Sequence, residues 1–335
     1  MPYKARLKEG QERKRKKPTY RVTNCHEYNQ SRKKRGKISL YFPDGDLLSQ
    51  FIDASPYTRG VSGRTSSYRA PYVELIYTFY RLFSWGMRQI AGFMQDYWKT
   101  LGLDIPVPSY GHLSDLFSKL DITVKQRCKR LARRLANGED VTVIIDSTGL
   151  SFDRASQWYE EKYGKKAART PWRKMHLATD PDMNIHAIEI TGTDVSDSEG
   201  MDRILPMDLP IDRVIADGAY YSIERAEALS DRGIVAVIPP PSHAVVHGDA
   251  NTQLHDQTVQ YILDKGSVYA FHKKHDYGLR ALVEAQISRI KRCIGAKLLT
   301  QKLESQEREG VVIANIINLW NSFGRPVSAK PNSRL

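Results

Sequence analysis

Apolar residues recur at helical spacing from Tyr68 to about Asn137. The pattern predicts helices over 70–84, 87–101, 109–120 and 124–137, with Trp85-Gly86 and the IPVPS stretch (105–109) as breaks. After Asn137 the texture changes. VTVIID (141–146), WRKMHLATD (172–180), NIHAIEITGT (184–193), DRVIAD (212–217) and IVAVIPP (234–240) read as five strands, the second and third joined by a turn at Pro181-Asp182. DSEGMDRILPM and SIERAEALSDRG supply intervening helices, the latter closed by Gly233. Strands alternating with helices predict an α/β fold. Residues 241–270 are polar and show little pattern, whereas 277–291 and about 304–323 read as two further helices.

This division gives a basic, disordered arm over 1–40, a helical domain over 41–137, an α/β domain over 138–325 with an irregular insertion at 241–270, and a tail over 326–335. The helix at 109–120 starts after Ser109, a good N-cap residue, and suits the groove helix of a helix-turn-helix DNA reader. A plain helical bundle fits the same pattern, because the preceding turn is longer than the standard one.

Charge narrows the partners. The 335 residues carry a formal net charge of +13, concentrated at the N-terminus in KRKK (14–17) and RKKR (32–35), and such a field draws polyanions, with nucleic acid as the default. The most apolar region, Tyr72 to Leu103, is broken by Glu74, Arg81, Arg88, Asp96 and Lys99, so no membrane partner is expected. Three cysteines, Cys25, Cys128 and Cys293, have neither disulfide nor zinc spacing, which fits a reduced cytoplasmic protein.

Two acids mark the chemistry. Asp146 and Asp217 each close an apolar strand and precede small residues, as DSTG and DGAY. Ligands of open α/β sheets gather at the carboxyl ends of strands, so the two are expected to share a site. An Asx-turn is the alternative role for each. The third acid is Glu284, in YGLRALVEAQISRIK. On a helix advancing about 100° per residue, Lys291, Glu284 and Tyr277 fall at roughly 20°, 40° and 60° from Arg280, beside an apolar stripe of Leu279, Val283, Ile287, Ile290 and Ile294. Glu284 thus sits at the edge of the core. Its simplest role is an i,i+4 ion pair with Arg280, and its other role is that of third carboxylate in a metal-binding triad. His176 lies on a strand expected to border the site and is a candidate supporting residue, although a lone strand histidine is more often packed. Trp172 has the same ambiguity between stacking on a base and filling a core. Asp194 and Asp197 are candidates for supporting the site or for capping the next helix.

At this point a family resemblance enters. Tyr277, Arg280, Glu284 and Lys291 match Y-x2-R-x3-E-x6-K, a signature of DDE transposases of bacterial insertion sequences. IIDSTGL (144–150), TPWRKMHLATD (170–180), TGTDVSDSE (191–199) and VIADGAYY (214–221) resemble the insertion-sequence-five type, within the insertion-sequence-four/five superfamily. The resemblance covers about 70–325. It implies an RNase H-like catalytic core, a mixed five-stranded sheet flanked by helices, behind an N-terminal all-helical DNA-binding domain. It implies Asp146, Asp217 and Glu284 as catalytic and metal-binding residues holding two Mg²⁺ ions, with Mn²⁺ as a substitute. Tyr277, Arg280 and Lys291 would hold DNA phosphates. The expected partners are terminal inverted repeats and target DNA, bound by a homodimer or higher oligomer at the bacterial nucleoid. The competing readings are an inactive transposase-derived DNA-binding protein and an RNase H-like nuclease without strand transfer.

Overall fold

The computed structural model describes residues 20–53, 68–152, 164 and 172–329. In chain order, β1 (Arg21–Val22) and α1 (Cys25–Arg35) precede α2 (Leu47–Phe51), α3 (Ala70–Phe83), α4 (Met87–Thr100), α5 (Tyr110–Lys119) and α6 (Lys129–Ala136). Next come β2 (Val141–Ser151), β3 (Trp172–Thr179), β4 (Ile185–Thr191), α7 (Asp197–Ile204), β5 (Ile211–Ile215), α8 (Ile223–Ser230) and β6 (Val235–Val237). The chain finishes with α9 (Gln253–Lys265), α10 (Val268–Lys274), a 3₁₀ turn (Tyr277–Arg280), α11 (Ala281–Cys293), α12 (Leu303–Phe323) and β7 (Ser328–Ala329).

The five long strands form one mixed sheet of order β4-β3-β2-β5-β6. β2 pairs antiparallel with β3 and parallel with β5, so it is the hinge between the two halves. Its β-branched start, VTVII, suits a strand covered on both faces. Val141, Val143 and Ile145 turn to one face, with Val214, Met201, Ile204 and Leu229. The other face meets α11, whose Val283, Ile287 and Ile290 are buried. Helix α12 reaches this second face at β4 by a close approach. A Cβ built on Gly310 would lie 2.9 Å from Ile190 Cγ1. This arrangement, a five-stranded mixed sheet between helices, fits an RNase H-like core.

The helical segment belongs to the same compact unit as the sheet, residues 41–322. Phe117 stacks on Tyr77 with ring centroids 3.9 Å apart, and the Trp98 indole donates to Tyr72 Oη at 2.8 Å. Polar contacts tie α3 to the segment following α11 and to α12. Tyr77 Oη donates to the Ser305 carbonyl at 2.6 Å, Tyr80 Oη to the Leu299 carbonyl at 3.1 Å, and Arg81 pairs with fully buried Glu309 at 3.2 Å.

Four expectations need correction. The helix expected over 124–137 begins only at Lys129, because the preceding chain is held extended by side chains of α12. Asn315 Oδ1 accepts the Lys125 N–H and Asn315 Nδ2 donates to the Thr123 carbonyl, while Asn318 Nδ2 donates to the Lys125 carbonyl. The 241–270 insertion is not irregular throughout: its second half is helical, as α9 and the start of α10, with Gly266 in the left-handed region as the stop between them. The N-terminal arm, in its described part, is ordered. In a separate small unit, β1 pairs with β7, and Asn24 joins the two ends of the chain through the Arg325 carbonyl and the Val327 N–H. Residues 1–19 and 330–335 lie outside the described residues. Finally, β2 does not end at Asp146. Its pairing with β3 continues to Ser151, which leaves Asp146 in mid-strand.

Candidate active site

The parallel register of β2 and β5 places two acids side by side. Ile144 faces Ile215, after which the pairing stops, and Asp146 and Asp217 each lie two residues further on. Each carboxylate uses one oxygen locally: Asp146 Oδ1 accepts the Ser147 N–H at 2.9 Å, and Asp217 Oδ1 accepts the Ala219 N–H at 2.8 Å. The second oxygens converge on one side chain. Arg280 Nη1 lies 3.4 Å from Asp146 Oδ2 and 3.9 Å from Asp217 Oδ2. Those two oxygens are therefore no further apart than the sum of these distances. Arg280 Nη2 donates to Glu284 Oε1 at 2.5 Å. The ion pair read from the sequence is thus present, and the same guanidinium brings all three acids into one cluster.

The cluster opens to solvent along its length. Side-chain exposure rises from 16% at Asp146 to 38% at Asp217 and 53% at Glu284. Burial pushes the Asp146 carboxyl above the usual range. The charges of Asp217 and Glu284 push the same way, against the Ser147 N–H and Arg280. Three like charges with one guanidinium among them leave an excess of negative charge.

Lys291 and Tyr277 flank this cluster from α11 and the turn before it. Lys291 Nζ donates to Thr148 Oγ1 at 2.7 Å, and Thr148 lies two positions beyond Asp146, on the same face of β2. Burial lowers the Lys291 ammonium from its ordinary value. Tyr277 stacks on His272 with ring centroids 4.3 Å apart. Burial raises its phenol, and the charges of Arg280, Asp217, Asp146 and Glu284 all reach it. Tyr277 belongs to a 3₁₀ turn rather than to the α-helix, so the helical angle expected for it does not apply. Asp276, just before it, has φ of 52°, a left-handed conformation uncommon outside glycine.

His176 stands apart from the acids. It pairs with Ser147, the neighbour of Asp146, and so turns to the opposite sheet face. There it is fully buried, with Nε2 2.9 Å from Thr191 Oγ1. Thr191 Oγ1 also lies within hydrogen-bond reach of the Gly192 carbonyl, at 3.2 Å. Burial lowers the imidazole from its ordinary value. The structure gives His176 a packing role beneath α7 and does not bring it to the three acids. Trp172 is not core: it is 42% exposed and covers Gly149.

Asp197 and Ser147, to which no sequence motif assigns a fixed role, join beside the acids. Ser147 Oγ donates to Asp197 Oδ1 at 2.9 Å, and Lys174 Nζ lies 3.3 Å from the same oxygen. This braces β2 one residue from Asp146. Ser196, not Asp197, is the N-cap of α7. The DVSDSE run carried the signal, since it offered more acids than one cap requires.

A family model described as "Transposase DDE domain" matches residues 137–319, and a second of the same description matches 33–154. The first spans the whole sheet and all three acids. The chain belongs to the DDE transposase family. Transposases of this family are enzymes of the nuclease and transposase kind, generally dependent on a divalent metal.

The donor set suits such a metal by chemistry. Asp146, Asp217 and Glu284 are hard oxygen ligands of the sort Mg²⁺ and Mn²⁺ take, and their mutual repulsion is what a divalent cation relieves. As arranged, no group of three His, Cys, Asp or Glu side chains among the described residues is close enough to hold an ion, and the Arg280 guanidinium lies between the three acids. Among the same residues no helix is long and apolar enough to cross a membrane.

Proposed function

We propose that this chain is the transposase of a bacterial insertion sequence of the insertion-sequence-five type. It binds the terminal inverted repeats of its element, cleaves the DNA at the element's end and joins the freed 3′ end to target DNA. The observation that carries this reading is the convergence of Asp146, Asp217 and Glu284 on one guanidinium, within a chain of the DDE transposase family.

In this reading the three acids hold two Mg²⁺ ions. Bound there, the ions supply Lewis acidity to the attacking and leaving oxygens of an in-line phosphoryl displacement. The protein's own part is positioning. The β2–β5 register fixes the aspartates, α11 brings Glu284 to them, and the Ser147–Asp197–Lys174 brace keeps the strand in place. Tyr277, Arg280 and Lys291 bind phosphates of the strand being cut, with Arg280 suited to a two-pronged contact. Water attacks phosphorus in the first step and the 3′-oxygen leaves. In the second step that 3′-hydroxyl attacks a target phosphodiester, loses its proton to water, and displaces the target strand's 3′-oxygen, which leaves as a hydroxyl. The basic N-terminal segment and the helices up to Lys119 provide the remaining DNA contacts, and a pair of protomers brings two ends together.

The test uses DNA carrying the inverted repeats that flank the coding region. Wild type with Mg²⁺ should nick this DNA and join a precleaved end to a plasmid. Asp146→Ala, Asp217→Ala and Glu284→Ala should each lose both activities while retaining end binding. Full activity in any one of the three refutes the site. Nicking without joining leaves a nuclease, and binding without nicking leaves an inactive relative.

A further inference from the structure

Every side-chain hydrogen bond and ion pair of Arg280 among the described residues goes to one of the three acids, at 3.4 Å to Asp146, 3.9 Å to Asp217 and 2.5 Å to Glu284. The aspartate oxygens it meets are Oδ2 of Asp146 and Oδ2 of Asp217, the ones left over after each Oδ1 has taken a backbone N–H. We infer that Arg280 is an exchangeable occupant of this cluster: it competes with divalent cations for the three carboxylates and gives them up when a DNA phosphate takes its guanidinium. The inference rests on the proposed function, since it takes the acids to be a divalent-cation site.

The two cations share atoms. A divalent ion held by these carboxylates needs the oxygens that now face Arg280, and a guanidinium at the same oxygens repels it. Full occupation by one excludes full occupation by the other. Nor does the neighbouring cation replace Arg280, because Lys291 is bound to Thr148. The exchange therefore has two partners, a cation for the acids and an anion for the arginine. A phosphodiester matches the guanidinium fork as well as a carboxylate does.

Arg280 is placed to make that move. It ends the 3₁₀ turn and is the N-cap of α11, the helix that carries Glu284, and its side chain is 22% exposed. The move inferred is a change of the Arg280 rotamer on a fixed sheet. DNA and metal then favour the same arginine position, so each strengthens the binding of the other, and by linkage the two effects are equal. The protein would hold divalent ions weakly until its substrate strand arrives.

The experiment is a titration of the full chain with Mn²⁺ alone, followed by electron paramagnetic resonance, on wild type, Arg280→Gln, Arg280→Lys and the Asp146→Asn/Arg280→Gln double variant. Circular dichroism melting checks that each is folded. Arg280→Gln should bind Mn²⁺ on the order of tenfold more tightly than wild type, a coupling of ordinary size. Asp146→Asn should remove that gain, and a non-specific DNA duplex should tighten Mn²⁺ binding in wild type more than in Arg280→Gln. If Gln unfolds the protein, Arg280→Met carries the test in the same direction, because it too removes the charge, whereas Arg280→Lys keeps the charge and should stay nearer wild type. Equal Mn²⁺ affinity with and without the arginine, still dependent on Asp146, overturns the exchange and leaves the metal reading standing. Mn²⁺ binding in Arg280→Gln that is indifferent to Asp146→Asn overturns both.

Discussion

Ile144 and Ile215 face each other as the last pair of the parallel β2–β5 ladder, and Asp146 and Asp217 each follow two residues later. Equal spacing from a shared register point sends both side chains to one sheet face, so the pairing sets the distance between the carboxylates. Lengthening either side chain should therefore be nearly as harmful as removing its charge. Asp217→Glu keeps the acid but moves it by one methylene and breaks the bond to the Ala219 N–H. Misplacement on that scale costs about 10²-fold in rate. Nicking of end DNA by Asp217→Glu and Asp146→Glu checks this, and activity near wild type in either would show that the register does not set the geometry.

The packing role of His176 makes its own prediction. A Cβ on Gly200 would lie 2.2 Å from the His176 ring, and that ring is held in place by Thr191. Gly200→Ala should destabilise the protein by about 1–3 kcal/mol, the usual cost of overpacking. Adding His176→Ala should recover part of the loss, since it removes the atoms that clash. Urea unfolding of the two single variants and the double variant gives the coupling. Strict additivity would separate the two residues.

The same histidine should make stability sensitive to acid. Burial lowers its folded-state pKa below the ordinary histidine value, so the neutral ring is the native form and the unfolded chain takes up the proton first. Its contribution is fully present above the unfolded pKa and is lost as pH falls through that value towards the folded one. Melting temperature should fall as pH drops below about 6.5, the ordinary histidine value. His176→Gln should flatten part of that slope, and an unchanged slope would assign the acid sensitivity to other groups, such as His272 and His275, which burial also lowers.

Much of this was legible from sequence because it is local. Four β-branched runs and WRKMHLATD declared the strands, and the 277–291 spacing put Glu284 at the edge of a buried stripe. The parts that were missed depend on residues far away in the chain. β2 continues through the polar DSTGLS because β3 is there to pair with it. Residues 124–128 look helical but are captured by Asn315 and Asn318. The pairing of Arg21–Val22 with Ser328–Ala329 joins opposite ends of the chain. At the site, the three acids and their spacing were readable, but not that one arginine touches all of them. That contact needs the β2–β5 register and α11 together, and no window of sequence contains both.

The buried pair Arg81–Glu309 fixes the segment that follows α11. Arg81 is 1% exposed and Glu309 is fully buried, and Glu309 also accepts the Leu299 N–H, the Thr300 N–H and the Thr300 hydroxyl. Replacing one partner leaves the other charge buried without compensation, so Glu309→Gln or Arg81→Met should each cost about 3–5 kcal/mol. Removing both should cost less than the sum of the two, because no charge is then stranded. Chemical denaturation of the two single variants and the double variant measures this, and full additivity would contradict the pairing.

Lys291 supplies the last prediction, which concerns DNA rather than stability. Its ammonium is held by Thr148, on the face of β2 that carries Asp146. A phosphate contact there releases about one counterion, so Lys291→Ala should lower the slope of log K against log salt for end binding by about one unit. Thr148→Val removes the hydroxyl that aims the lysine and keeps the charge. It should weaken binding at fixed salt by a smaller factor and leave the slope near wild type. Thr148→Ser should restore the affinity, since it returns the acceptor oxygen. Fluorescence anisotropy over a series of salt concentrations separates the two effects. An unchanged slope in Lys291→Ala would mean that this lysine does not meet a phosphate.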